Sequence, residues 1–284
     1  MKVAILGVSG MLGHVLYEEL RKKKDLEIFG TIRKQRVHGS GNIIGGIAAN
    51  SPSLENFLDV QKPDVVINAI GIIKQLKDAH NARKTIEINA LFPHKLAEMC
   101  EEVGARMIHI STDCVFNGKQ GMYLEGDVSN AEDLYGRTKY LGEVAYPHTL
   151  TLRTSIIGHE LETCNGLIGW FLSQQGRTKG FTKAIYTGFP TVELARIIYE
   201  YVLPNKDLNG VFQVSSEPID KFTLLNIVKE VYGKDIIIEP YDEFFCDRSL
   251  DSTRFRDVTG FKPKCWQHMI EEMYEHYKER YCNA

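Results

Sequence analysis

The chain has 284 residues, 43% of them hydrophobic and 25% charged, with 34 basic residues against 37 acidic ones. That length holds one large domain, or a large and a small one, around a sizeable core, and the near-balance of charge excludes the strongly basic surface of a nucleic-acid or membrane-surface protein. Six cysteines, Cys100, Cys114, Cys164, Cys246, Cys265 and Cys282, lie scattered without a C-x-x-C spacing, so reduced thiols and a cytoplasmic location are expected.

The start MKVAILG is apolar, but glycines interrupt it from Gly7 to Gly13 and charge follows at Glu18 and Glu19. It is too short for a membrane helix and unlike a signal peptide, so residues 3–6 are expected to form a buried strand. Met11, Leu12, Val15, Leu16 and Leu20 recur on one helical face, and the basic run 21–24 suits the last turn of that helix. Further strands are expected at 27–32, weakly patterned near Ile43 and Ile44, and at 65–70 after the turn residues Pro63 and Asp64. A helix over 90–103 stops at Gly104, and a strand follows at 107–110. The polar stretch 117–133 leads to a helix over 134–145 and a strand at 149–153. Beyond 157 the alternation loosens into helices around 166–175 and 191–201, a strand at 211–214 and a C-terminal helix after Pro263. Strands alternating with helices predict an α/β, doubly wound parallel-sheet Rossmann domain of residues 1–156 plus about 189–215. A small α/β substrate-binding domain is expected from about 157–188 plus 216–284.

Three motifs carry chemistry. Gly7-Val8-Ser9-Gly10-Met11-Leu12-Gly13 sits where a strand hands over to a helix. Glycines there permit a tight turn, close backbone approach to a pyrophosphate and helix-on-strand packing, while the helix N-terminus offers free N–H groups to the anion. At the end of the second strand, where an acidic residue would accept from the adenosine 2′-hydroxyl of NAD, the chain has Thr31, Arg33 and Lys34. Cationic donors match the extra phosphate of NADP, and a solvated basic loop is the competing reading. Tyr135 and Lys139 are four apart at the start of a predicted helix and share a face. A neighbouring ammonium lowers a phenol's pKa toward the working range, and the pair follows Ser111-Thr112-Asp113 at the ligand end of a strand. The nine histidines show no metal-ligand spacing, and His109, flanked by Ile108 and Ile110, reads as a buried strand residue; no metal is expected.

With these motifs in view the sequence resembles the extended short-chain dehydrogenase/reductases, and within them the dTDP-4-dehydrorhamnose reductase family. The resemblance runs nearly end to end: the glycine loop, INAIG at 67–71, ISTDCVFNG at 110–118, LYGRTKYLGE at 134–143, LRTSIIG at 152–158 and RSLDSTRF at 248–255. It implies an NAD(P)H-dependent oxidoreductase of a nucleotide-linked 4-keto-6-deoxy sugar, serving polysaccharide biosynthesis, with NADP as cofactor and NAD as the alternative. The glycine loop (Gly7, Ser9, Gly10, Met11, Leu12, Gly13) and Ala69, Ile70 and Gly71 would hold the cofactor with Arg33 and Lys34. Thr112, Tyr135 and Lys139 match the catalytic set, Lys139 also binding the nicotinamide ribose, and Asn89 matches a helix asparagine that supports the lysine through water. Thr112, Asp113 and Ile156 would line the sugar site, and Arg248 would clamp the diphosphate or form a surface salt bridge. Departures concern the substrate. Cys114 stands where the family has an aromatic, Ile156 where it has a tryptophan, and no acidic residue appears around Gly46 and Ile47. A sugar-nucleotide epimerase on the same fold is one alternative; a dehydratase is disfavoured because Cys114 replaces its glutamate. A non-catalytic NADP-binding regulatory subunit, like the methionine adenosyltransferase β subunit, is the other alternative. The expected partner is the nucleotide-sugar substrate, without nucleic acid or membrane, and a homodimer is the assembly to test.

Overall fold

The computed structural model describes residues 1–34 and 42–281; Cys282 lies outside them. The first half alternates as its hydrophobic pattern requires. β1 (Lys2–Leu6) is followed by α1 (Met11–Leu20), β2 (Glu27–Thr31), a two-residue β3 (Ile43–Ile44), α2 (Pro52–Gln61) and β4 (Val65–Asn68). After α3 (Ala82–Ile86) come a π-helical turn at Glu87–Leu91, α4 (Phe92–Val103) and β5 (Arg106–Thr112). α5 (Leu134–Leu141) and β6 (Thr149–Thr154) complete this half. The continuous apolar strands have helices on both faces, as a parallel sheet requires.

The second half carries β7 (Ile156–Ile157), α6 (Leu167–Ser173), β8 (Arg177–Tyr186), β9 (Phe189–Pro190), α7 (Thr191–Ile197), which continues as a π-helical turn, and β10 (Gly210–Gln213). Then follow β11 (Ile219–Asp220), α8 (Lys221–Val231), β12 (Ile237–Asp247), α9 (Thr253–Thr259) and α10 (Trp266–Tyr281). The main sheet has seven strands in the order β10-β6-β5-β4-β1-β2-β3, all parallel. Its order reverses between β1 and β4, the switch point at which open α/β sheets bind ligands. A separate three-stranded sheet, β11-β8-β12, is mixed, and β7 pairs β9.

Several elements depart from expectation. The helix expected over 134–145 stops at Leu141, because Gly142 caps it and Asn89 O leaves no room for a Cβ there, 2.0 Å from where one would stand. The expected helix over 90–103 begins as the π turn Glu87–Leu91. α2, β8, α8, β12 and α9 were not anticipated. Two buried clusters pack the sheet: α1, α7, α8 and α10 contribute to one side and α2 and α4 to the other. No helix among the described residues is long and apolar enough to cross a membrane.

Candidate active site

The glycine loop lies between β1 and α1 and is anchored from β2: Gly7 N and Val8 N both donate to Thr31 O, at 3.2 and 3.0 Å. Gly7 has φ +89°, open to glycine at little cost. A Cβ on Gly13 would stand 2.2 Å from Gly7 O, so α1 can approach the turn only without a side chain. The loop leaves Ser9 and Gly10 exposed at the start of α1. Beside it, Thr31 Oγ1 is buried without a hydrogen-bond partner, and Arg33 and Lys34 are exposed just beyond, Lys34 reaching Glu162 at 3.6 Å. A dinucleotide fits these features: a backbone cradle for pyrophosphate, an orphaned hydroxyl where a ribose would lie, and two cations beyond it.

The segment after β4 forms the other wall. Asn68 Oδ1 accepts from Ile70 N at 3.1 Å, shaping the turn through Ala69, Ile70 and Gly71. Asn89 is buried in the π turn and spends its amide on both backbone groups of Ile72, at 2.8 Å each. Its side chain thus holds the segment after β4, and its backbone carbonyl faces α5 at Gly142.

α5 delivers the catalytic candidates. Asp133 caps its start, accepting from Gly136 N at 2.9 Å, and Lys74 ties Asp133 to the neighbouring loop at 2.7 Å. A Cβ on Gly136 would lie 2.2 Å from Cys114 O. That glycine lets α5 press onto the turn after β5, so the Tyr135 phenol lies against the Thr112 hydroxyl. Thr112 Oγ1 accepts from Cys114 N and donates to Asp113 Oδ1, both at 3.1 Å.

Burial raises the Tyr135 pKa, and the nearby Cys114, Asp113 and Asp133 add to it against the Thr112 contact. The expected depression by Lys139 is therefore corrected. Lys139 shares the helix face, but its Nζ turns inward to donate to Ile110 O at 2.7 Å and lies 3.3 Å from His109 Nε2. Burial pulls the Lys139 ammonium down to about 8, with Glu143 opposing. Asp113 is buried and its pKa raised by that burial, against Arg248, Thr112, Cys114 and Lys221.

Arg248 sits on the same side. Its Nε donates to Phe116 O at 2.8 Å; burial works against its charge, but Cys114, Cys246, Asp113 and Asp133 outweigh that and raise its pKa. Ile156 is half-buried in β7. A cavity of about 230 Å³ that no sequence motif announces lies between α6, β8 and α8, lined by Leu167, Trp170, Lys179, Phe181, Lys221 and Leu225. Arg153 and Glu143 form a buried pair, bidentate at 2.8 and 2.7 Å and joined by Ser111 Oγ at 2.7 Å. The sequence signal for that pair was an acid and an arginine in otherwise apolar surroundings at the ends of α5 and β6.

The chain is 30% identical to the spore coat polysaccharide biosynthesis protein SpsK of Bacillus subtilis, over 95% of this chain and 96% of SpsK. It is 29% identical over 160 residues to the dTDP-4-dehydrorhamnose reductase of Mycolicibacterium smegmatis, covering 54% of this chain and 45% of that protein. Among solved structures, a hypothetical dTDP-4-dehydrorhamnose reductase from Sulfolobus tokodaii superposes with a TM-score of 0.77 at 27% identity, over 94% of this chain and 98% of that one. Residues 1–214 match the RmlD substrate binding domain family, and the chain belongs to it.

Proposed function

We propose that the chain is an NADPH-dependent reductase of a nucleotide-linked 4-keto-6-deoxy sugar, similar to dTDP-4-dehydrorhamnose reductase and serving polysaccharide biosynthesis. The observation that carries this reading is the meeting of Tyr135 and Thr112 at the ligand end of β5, with Lys139 on the same helix and the glycine loop beside the switch point. A bound reduced nicotinamide supplies hydride to the carbonyl carbon. Tyr135, protonated through the neutral range as a phenol and the more so for its burial, would donate its proton to the carbonyl oxygen, and Thr112 would turn its hydroxyl from Asp113 Oδ1 to the same atom. Ser9, Gly10, Met11, Leu12 and Gly13 would cradle the pyrophosphate, and Arg33 and Lys34 would meet the 2′-phosphate. Arg248, Lys221 and Lys179 hold the sugar diphosphate, while Trp170 and Phe181 face the base from the cavity between α6, β8 and α8.

The separate β11-β8-β12 sheet supports a division into a cofactor domain of residues 1–156 plus about 189–215 and a substrate domain from the rest. Such chemistry belongs in the cytoplasm, where its charged substrates are made. The exposed Ile86, Leu91, Tyr140 and Leu141 on adjoining helical turns support a homodimer.

Tyr135→Phe tests the mechanism. The ring and its packing remain, so NADPH affinity and thermal stability should hold while kcat for keto-sugar reduction falls by roughly 10²- to 10⁴-fold. A near-wild-type rate, followed as loss of NADPH absorbance, would overturn the assignment. Cofactor binding without turnover on any 4-keto sugar nucleotide would favour the regulatory-subunit reading.

A further inference from the structure

Asn68 on β4 and His109 on β5 are register partners in the sheet, and both are buried. Their side chains form the middle of a chain of hydrogen bonds between the backbone after β4 and the catalytic lysine. Ile70 N donates to Asn68 Oδ1 at 3.1 Å, Asn68 Nδ2 meets His109 Nδ1 at 3.1 Å, and His109 Nε2 meets Lys139 Nζ at 3.3 Å. Lys139 Nζ also donates to Ile110 O at 2.7 Å.

The donors and acceptors in this chain are not free to choose. A backbone N–H only donates, so Ile70 fixes Asn68 with its oxygen toward the turn and its NH₂ toward His109. Nδ1 must then accept, and a neutral imidazole with Nδ1 accepting carries its proton on Nε2. That Nε2–H points at Nζ. Against an ammonium two donors would face each other; against a neutral amine the lysine's lone pair accepts, and its own N–H still reaches Ile110 O.

We propose that His109 is a positioning residue that holds Lys139 as a neutral amine through Nε2–H, tying the lysine's proton to the Asn68–Ile70 hydrogen bond beside the cofactor segment. Protonation reverses the chain. The Nε2 proton passes to Nζ, making the ammonium that then donates back to Nε2, and one proton from water enters at Nδ1. The imidazole stays neutral with its single proton on Nδ1, Asn68 turns its oxygen to receive it, and the Ile70 N–H is released. The charge on the lysine and the hydrogen-bonding state of the 69–71 segment are thereby linked, each biasing the other by the same free energy.

The charged and titratable surroundings agree. Glu143 is the acid toward Lys139, and it is already engaged by Arg153 and Ser111. His94 is the other titratable group toward His109, whose own protonation is suppressed by burial and then by Lys139 and His94. Across the sheet His109 is paired with Thr151, which carries no charge.

The consequence for catalysis rests on the reductase reading, but the tautomer does not, so the test uses the full-length protein without added substrate. Long-range proton–nitrogen correlation spectra of ¹⁵N-histidine-labelled protein read which ring nitrogen of His109 bears the proton, with His109→Leu giving the assignment. At about pH 9.5 the proton should sit on Nε2 and at about pH 6.5 on Nδ1, because Lys139 titrates between them. The Ile70 amide shift should follow with the same midpoint. In Lys139→Met the proton should stay on one nitrogen at both pH values. Asn68→Ala, which frees Nδ1, should raise the Lys139 midpoint by roughly one pH unit, a tenfold change in proton affinity. A His109 tautomer that is constant in the wild type, or that changes equally in Lys139→Met, overturns the proposal. An unmoved Lys139 midpoint in Asn68→Ala does so as well, even if His109→Leu fails to fold. Failure to reduce any keto sugar would leave these spectra unaffected and would count against the reductase reading alone.

Discussion

At the scale of single residues, the site divides into side chains that point to a ligand and side chains that are consumed by the protein. Arg33 is exposed beyond β2, next to the orphaned Thr31 hydroxyl, whereas Lys34 already reaches Glu162 at 3.6 Å. Arg33 is therefore the freer cation for a 2′-phosphate. Arg33→Ala should weaken NADPH binding by about tenfold and leave NADH nearly unchanged, the scale of one charge-assisted hydrogen bond in water. Titrating cofactor fluorescence in both proteins checks this, and equal losses for the two cofactors would refute the assignment. The places of Gly7, Gly13 and Tyr135 in the fold were legible from sequence because the pattern is local, a strand-to-helix turn or two residues one helical turn apart, whereas Thr112 came only with the family resemblance. Lys139 was legible as to identity but not direction, since its i, i+4 spacing from Tyr135 says nothing of the buried carbonyl and imidazole that capture its amine. The side-chain partners of Asn89 were illegible for a related reason, its amide being claimed by a backbone segment 17 residues away.

At the scale of elements, the helices and strands that deliver the site depend on close approaches only glycine allows. α5 is pressed against the turn after β5 at Gly136, where a Cβ would meet Cys114 O at 2.2 Å. Helix propensity alone favours Gly136→Ala by about 1 kcal/mol, but forcing a methyl against backbone costs about 1 to 3 kcal/mol, and the contact has no flexible side chain to yield. The substitution should lower the melting temperature by several degrees and displace Tyr135 from Thr112, reducing kcat more than it raises KM. A stabilised, fully active variant would show that α5 does not need this approach. Elements of the second half were illegible where they break strand grammar. β12 contains Pro240 and the acids Glu239, Asp242 and Glu243, and among the described residues its one strand partner is β8. An edge strand tolerates a residue with no N–H and leaves polar side chains in water. β8 likewise has Gly180 at mid-strand, packed by Phe222 and Ile238. The seven-stranded sheet was easier to read because β1 and β4 are buried on both faces and appear as short apolar runs, each followed by a helical pattern.

At the scale of the whole molecule, the N-terminal and C-terminal ends are joined under the glycine loop by a histidine cluster. His14 on α1 donates from Nδ1 to Gly10 O at 2.8 Å. His276 on α10 faces Glu18 and Glu19 at 3.6 and 3.5 Å, and Arg280 pairs with Glu18. His159, after β7, bonds Tyr232 at 2.9 Å and stacks on Tyr277. Burial is the main reason each imidazole resists protonation: His14 and His159 are brought from the ordinary 6.5 to about 4. His276 is lowered less, because Glu19 and Glu279 pull against its burial and Lys22. A histidine whose folded pKa lies below its unfolded value binds fewer protons in the native state, so stability rises with pH through that window. The contribution is complete above about pH 6.5, declines as the pH falls, and is exhausted near pH 4, where folded and unfolded states are equally protonated. Urea unfolding between pH 7.5 and 4 should show this loss. In His14→Gln, which can still donate to Gly10 O but cannot titrate, the pH dependence should flatten by about one proton. An unchanged slope would place the acid sensitivity elsewhere, in which case α1 and α10 are not held together by keeping His14 neutral.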